Sequence, residues 1–127
     1  MTATTKEIGN AGESLAAELL VAKGYAIVER NVVIGKVEVD IVAQDHNRVV
    51  IVEVKTRKEG NLDPRYGIDA AKIRRLARAA ASYVKSRDLP HEVQIDVILV
   101  TNHADGRSTA EHFEDICLPP VCIMRRR

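Results

Sequence analysis

Residues 37–44 read Val-Glu-Val-Asp-Ile-Val-Ala-Gln, residues 45–47 Asp-His-Asn, and residues 48–57 Arg-Val-Val-Ile-Val-Glu-Val-Lys-Thr-Arg. Two valine- and isoleucine-rich runs around a short polar break are the pattern of a β-hairpin. Side chains alternate along a strand. Glu38, Asp40 and Val42 are therefore expected on one face of the first run, and Glu53, Lys55 and Arg57 on one face of the second, with Val49 and Ile51 before them. Whether the two charged sets meet depends on the turn. A two- or four-residue loop centred between His46 and Asn47 puts Asp40 opposite Glu53 and Glu38 opposite Lys55. A three-residue loop changes the parity and separates them. Directly opposite residues have Cβ atoms about 5 Å apart, where like charges destabilise a sheet.

Paired carboxylates in such a hairpin make physical sense if a hard divalent cation lies between their oxygens. Mg²⁺ (or Mn²⁺) takes one or two carboxylates, several waters and a substrate phosphate. Such an ion polarises a phosphodiester and acidifies an attacking water. Lys55, two residues beyond Glu53, suits orientation of that water or compensation of charge on the phosphate. The chain has no serine nucleophile elbow, no Gly-rich phosphate loop and no His-Glu-x-x-His. These residue types therefore fit phosphodiester hydrolysis better than acyl transfer. The plainer alternative is a solvated edge strand, for which Glu-Val-Lys is a common pattern.

Outward from the hairpin, residues 5–23 carry Ile8, Leu15, Leu19 and Ala22 on one helical stripe, and Gly24 follows as a terminator. Glu13 shares a second line with Gly9, Ala16 and Leu20, which aims it toward protein or ligand. Residues 25–33 read as a strand. Residues 58–68, with Gly60, Pro64 and Gly67, form a long loop that is a candidate substrate-facing element. Asp69 is a candidate N-cap for a helix to about residue 87 with the apolar stripe Ile73, Leu76, Ala77, Ala80, Tyr83 and Val84. Arg74, Arg78 and Lys85 fall on its opposite face and Lys72 at the border. Pro90 closes the segment. Strands are expected over residues 93–101 and, more weakly, 110–117. The order is αβββαββ, with a strand-helix-strand crossover that predicts a parallel pair. The fold class is α/β: a mixed sheet with helices packed on it.

The chain has 127 residues, 46% hydrophobic and 29% charged, which suits one domain with a regular core over about 5–118 and a basic tail at 119–127. Its charge is uneven: net −3 over residues 1–45, +6 over 46–90 and −2 over 91–127. An anionic partner and a solvated basic helix face fit this equally well. Two cysteines make no disulfide framework, so a cytoplasmic setting is expected. The N-terminus lacks the apolar stretch of a signal peptide, and no apolar run approaches the ~20 residues of a membrane span. His103, His112, Cys117 and Cys122 match no usual zinc spacing. Asp96, in an apolar strand, is expected to bond to Arg30 or a loop amide. Aromatic residues are 3% of the chain, so base stacking is not the expected mode of nucleic-acid contact.

The chain resembles the YraN-like family of small bacterial proteins. The resemblance is carried by Gly12-Glu13, Gly24-Tyr25, Arg30-Asn31, residues 38–42, residues 52–57, Lys72 and residues 95–97. It departs in having Val37 where that family usually has Gly before the Glu. The resemblance implies a restriction-endonuclease-like fold of the PD-(D/E)XK superfamily with an αβββαβ core, similar to archaeal Holliday-junction resolvases. It implies metal-binding roles for Asp40 and Glu53, a catalytic role for Lys55 and an accessory one for Glu13. Substrate contacts are expected from Arg57, Lys72, Arg74, Arg78 and Lys85, with Glu38 unassigned. The expected activity is Mg²⁺-dependent cleavage of duplex or branched DNA, with a homodimer expected by analogy to resolvases. The alternatives are a non-catalytic nucleic-acid-binding or adaptor protein that keeps the fold, and a protein-interaction domain unrelated to nucleic acid.

Overall fold

The computed structural model describes residues 4–60, 70–88 and 92–116. Along the chain these form α1 (Thr5–Ala22), β1 (Ala26–Ile34), β2 (Val37–Asp45), β3 (Arg48–Lys58), α2 (Ala70–Ser86), β4 (Glu92–Asn102) and β5 (Ser108–Phe113). The strands make one sheet in the order β1-β2-β3-β4-β5. Pairing is antiparallel except for β3 and β4, which run parallel on either side of α2. This is the mixed sheet and crossover read from the sequence. Asp69, Pro90, residues 61–68, Cys117, Cys122 and the tail 119–127 lie outside the described residues. The last strand begins at Ser108 and ends at Phe113, earlier at both ends than expected.

α1 starts at a capping box. The Thr4 hydroxyl accepts from the Glu7 N–H at 3.1 Å, and the Glu7 carboxylate accepts from the Thr4 N–H at 2.9 Å. The helix ends where Gly24 takes φ 97°, a left-handed conformation natural only to glycine. The expected stripe is displaced. Ala16 and Leu20 are fully buried, whereas Ile8, Leu15 and Leu19 are half-buried and Ala22 is exposed. The line that carries Glu13 therefore packs more deeply than the line richest in leucine. The cause is proximity: at Gly12 the helix passes so close to β3 that a Cβ there would collide with Thr56 Oγ1. α2 buries Ile73, Leu76, Ala79, Ala80 and Tyr83, with Ala77 and Val84 half-buried beside them.

The two helices cover opposite faces. Val50 and Val52 pack with Ala16 and Leu20 of α1, while Val49 and Ile51 pack with Leu76 and Ala80 of α2. That is the two-residue alternation of a regular strand. Each fully buried Leu, Ile or Val contributes roughly 1.5–3 kcal/mol. β2 departs from the alternation. Ile41 and Ala43 belong to the α1 side and Val42 to the α2 side, yet Val39 also belongs to the α2 side. The pattern slips between Val39 and Ile41, at Asp40. β1 has its own register shift earlier, between Ile27 and Glu29; opposite Asp40 the register is kept, Arg30 pairing with Ile41 and Val32 with Val39, and Asn31 between them takes φ 52°. Asparagine is one of the few side chains that tolerate this region.

The β2–β3 turn is two residues long, His46-Asn47, with His46 at φ 59°. The parity is therefore even, and Asp45 pairs with Arg48, Val42 with Ile51 and Ile41 with Val52. Asp40 and Glu53 would be next in that register, but the ladder stops there. Instead the Val54 N–H donates to Asp40 Oδ2 at 2.8 Å. β3 meanwhile stays paired with β4 as far as Lys58 and Asn102. Two expectations are corrected by this. Glu38 does not sit opposite Lys55, because the strands have parted before reaching them. Nor do Glu38, Asp40 and Val42 share one face, because of the slip at Asp40.

Candidate functional site at the parting of two strands

The residues that carry chemistry gather where β2 leaves β3. Asp40 stands at the slip, half-buried and pinned by the Val54 amide. Glu53 lies on the α2-facing side of β3 and is only 6% exposed. Lys55 and Arg57 follow it, half-buried. Glu13 arrives from α1 on the other side, brought in by the close crossing at Gly12. Lys72, on the first turn of α2, puts its Nζ 3.7 Å from Glu53 Oε2. Thus α1, β2, β3 and α2 each contribute a charged group.

The electrostatics mark this cluster as under strain. Burial raises the pKa of Glu13, Asp40 and Glu53 alike, and is the largest cause for each. The Asp40 charge adds to the rise at both Glu13 and Glu53. Lys72 and Lys55 pull Asp40 and Glu53 the other way, and Asn31 and Arg30 do so for Glu13. Asp40 is therefore the hub: it repels two carboxylates on opposite sides of the parted strands. Glu13 Oε1 is buried without a hydrogen-bond partner among the described residues, 3.8 Å from Arg30 Nη2. A buried acceptor left in this state costs about 1–3 kcal/mol.

An orphaned oxygen among mutually repelling carboxylates suits a cation. Asp40 and Glu53 could hold one, a donor set of hard oxygens fitting Mg²⁺ or Mn²⁺. Among the described residues no three His, Cys, Asp or Glu side chains converge tightly enough to cage a metal by themselves. Mg²⁺ does not require that, because it keeps several waters and shares its shell with a substrate phosphate.

The remaining sequence candidates fall in different places. The Arg57 Nε donates to Thr101 Oγ1 at 3.0 Å, and the residue lines a groove of about 750 Å³ with Thr56, Lys58, Asn102 and His103 at the ends of β3 and β4. Arg74, Arg78 and Lys85 are exposed on α2, away from its buried stripe. Arg75, exposed and one turn beyond Lys72, shares the flank of α2 nearest the carboxylates, and sequence reading passed over it. Gly12 and Asn31 have no physical role in the sequence reading, and Arg30 is expected there at Asp96, whereas the structure sets it 3.8 Å from Glu13. A glycine next to a buried helical Glu, and an Asn beside a charged strand residue, were the available signals.

Asp96 is not bonded to Arg30, whose Nη2 instead donates to Ser14 Oγ at 3.4 Å. It accepts at Oδ1 from Gln94 Nε2 and the Asp115 N–H, both at 2.9 Å, so the expected loop amide is present. Its Oδ2 lies 2.7 Å from His112 Nε2. His103 engages Glu59 and Thr109, and His46 in the turn engages Asp45, so none of the three described histidines faces the carboxylate cluster.

Comparison with known proteins adds a family. The model of the uncharacterised protein family UPF0102 matches residues 12–100. A UPF0102 protein of Flavobacterium psychrophilum is 43% identical over 110 residues, covering 86% of this chain and 92% of its own. One from Symbiobacterium thermophilum is 43% identical over 105 residues, 81% of this chain and 89% of its own. One from Phocaeicola vulgatus is 36% identical over 116 residues, 91% and 95% respectively. The match spans α1 to β4 and so includes every charged residue of the cluster.

Proposed function

This chain belongs to the uncharacterised protein family UPF0102, and we propose that it is a divalent-metal-dependent endonuclease acting on the phosphodiester backbone of duplex or branched DNA. One observation carries the reading. Glu13, Asp40 and Glu53 come from three elements, are raised in pKa by burial around one hub, and are adjoined by Lys55 and Lys72. Such frustration among titratable groups at a gap in a sheet is characteristic of functional sites.

A bound Mg²⁺ or Mn²⁺ supplies Lewis acidity at the scissile phosphate and a more acidic water. Asp40 and Glu53 are the residues to hold it. Val54 fixes the orientation of Asp40 through its N–H, so the carboxylate is positioned before any ligand arrives. Lys55 brings an ammonium to the same side of β3 as Glu53, to orient the water or offset charge on the phosphate oxygens. Glu13 Oε1 is left to accept a hydrogen bond from a water. Arg57 and the groove at the strand ends, with Arg74, Arg75, Arg78 and Lys85 on α2, offer cations for backbone phosphates on either side. Contacts of that kind position a duplex without reading its sequence.

The test is cleavage of labelled duplex and four-way-branched DNA with Mg²⁺ or Mn²⁺, beside calorimetric titration with the metal. Metal-dependent nicking is expected, abolished by chelation and reduced about a hundredfold or more in Asp40→Asn and Glu53→Gln. No metal uptake at millimolar concentration, with or without DNA, would sink the reading. So would undiminished cleavage by Glu53→Gln. The lack of a closed three-ligand cage among the described residues favours a second reading, a non-catalytic DNA-binding module. That reading predicts salt-sensitive DNA binding without metal uptake.

A further inference from the structure

Lys72 is the residue whose position the nuclease reading leaves unexplained. It belongs to α2, an element otherwise engaged in covering the sheet. Yet its Nζ is 3.7 Å from Glu53 Oε2, and Glu53 has a side chain only 7% exposed. Its charge also acts on Asp40, ahead of that of Lys55. In this arrangement an ammonium ion supplies the positive charge that the carboxylates lack.

Mg²⁺ binds carboxylate oxygens at about 2.0–2.1 Å and brings its own waters. An ammonium beside the same oxygen is then both crowded and repelled. We propose that Lys72 is a resident counter-ion that a divalent cation displaces from Glu53, and that the displaced ammonium then grips a phosphate of the bound DNA. This rests on the metal-dependent reading above and adds to it a coupling between metal occupancy and DNA affinity.

The fold suits the exchange. Ile73, Leu76, Ala80 and Tyr83 hold α2 to the sheet, so the helix stays while the lysine moves. A lysine stem has four rotatable carbons and carries its charge several ångströms without backbone motion. The Lys72 side chain is 32% exposed and so already touches water. Arg75, one turn further along, would flank the displaced ammonium and complete a two-cation phosphate contact. A structural ion pair and an exchanging counter-ion predict opposite signs when the charge is removed. The first supports Glu53 as a ligand, so its loss weakens metal binding. The second competes with metal, so its loss strengthens it.

The experiment is calorimetric titration of the full chain with MgCl₂ alone, for wild type, Lys72→Met and Lys72→Arg. Lys72→Met is expected to bind Mg²⁺ about fivefold more tightly, and Lys72→Arg to stay near wild type because it keeps the competing charge. In wild type, Mg²⁺ should raise affinity for duplex DNA, and Lys72→Met should lose most of that gain. In ¹⁵N spectra of wild type, the Lys72 Nζ signal should shift as Mg²⁺ saturates, a readout that does not depend on any variant folding. Unchanged or weaker Mg²⁺ binding by Lys72→Met, or a static Nζ signal at saturation, overturns the exchange while the nuclease reading stands. If no form of the chain takes up Mg²⁺, both fall together. If only Lys72→Met takes it up, Lys72 blocks the ion and does not yield to it, which overturns the exchange.

Discussion

Two acidic clusters sit in this one sheet, and they are built in opposite ways. Asp96 on β4 is completely buried, yet both of its oxygens are provided for by Gln94, the Asp115 amide and His112. His112 is held in turn, with Nδ1 2.9 Å from Lys23 Nζ and its ring edge-on to Tyr25. A neutral His112 that donates at Nε2 and accepts at Nδ1 satisfies every member. Around Asp40 the protein does the reverse. Three carboxylates are brought together, burial raises them all, Asp40 repels the other two, and Glu13 Oε1 has the Arg30 guanidinium at 3.8 Å but no hydrogen-bond partner among the described residues. A carboxylate whose hydrogen bonds are complete holds structure together, here tying α1 and the bend after β5 to β4. One left short of donors keeps capacity for something from outside.

Matched substitutions test this contrast most strongly. Asp96→Asn puts an amide N–H against His112 Nε2, and a swap of tautomer would then set Nδ1–H against the Lys23 ammonium. It is expected to cost about 2–3 kcal/mol in denaturant unfolding. Asp40→Asn keeps an acceptor for the Val54 N–H and removes the repelling charge, so metal-free stability should hold or rise by up to about 1 kcal/mol. Equal losses in the two variants would break the comparison.

A smaller effect is expected at the helix crossing. Gly12→Ala should cost about 1–2 kcal/mol as α1 lifts from β3, because its methyl meets Thr56 Oγ1. Thr56→Ala in the same chain should return most of that loss, measured as a double-mutant coupling. Purely additive losses would mean that the crossing does not hold Glu13 in place.

The pH response sharpens the contrast at the lowest amplitude. Glu13, Asp40 and Glu53 hold their protons more tightly in the folded protein than in the unfolded chain. Their contribution to stability is complete below the unfolded value of about 4 and is lost as pH rises through the raised folded values. As pH falls from neutral toward about 4, acidification should therefore favour metal-free wild type relative to Asp40→Asn. The thermal midpoint of wild type should rise relative to that of the variant. A relative fall on acidification would contradict the raised carboxylates.

Much of the fold was readable because its signals are local. Apolar alternation, a polar two-residue break and Gly24 are written within a few residues of the structures they specify, and the strand order followed from them. The candidate site was half readable. Residue types named Asp40, Glu53 and Lys55, and parity left it to the turn length whether the charged sets meet. Parity failed for Glu38, because alternation assumes that two strands stay paired, and β2 leaves β3 after Ile41 and Val52. The richer apolar stripe of α1 was likewise a poor guide to burial, since Gly12 lets the other line approach β3.

By itself the sequence determined the order of elements, the place of the hairpin turn and the presence of acid and lysine where a sheet should be apolar. Tertiary structure alone decided that Asp40 sits at a slip opposite Asn31, that α1 comes close enough to bring in Glu13, that Lys72 reaches across from α2 to Glu53, and that Asp96 belongs to His112 instead of Arg30. The division has a physical reason. Strand and turn preferences act between neighbours in the chain. The balance of repulsion, burial and missing hydrogen bonds at a site is set by groups tens of residues apart, whose distances exist only once the chain has packed.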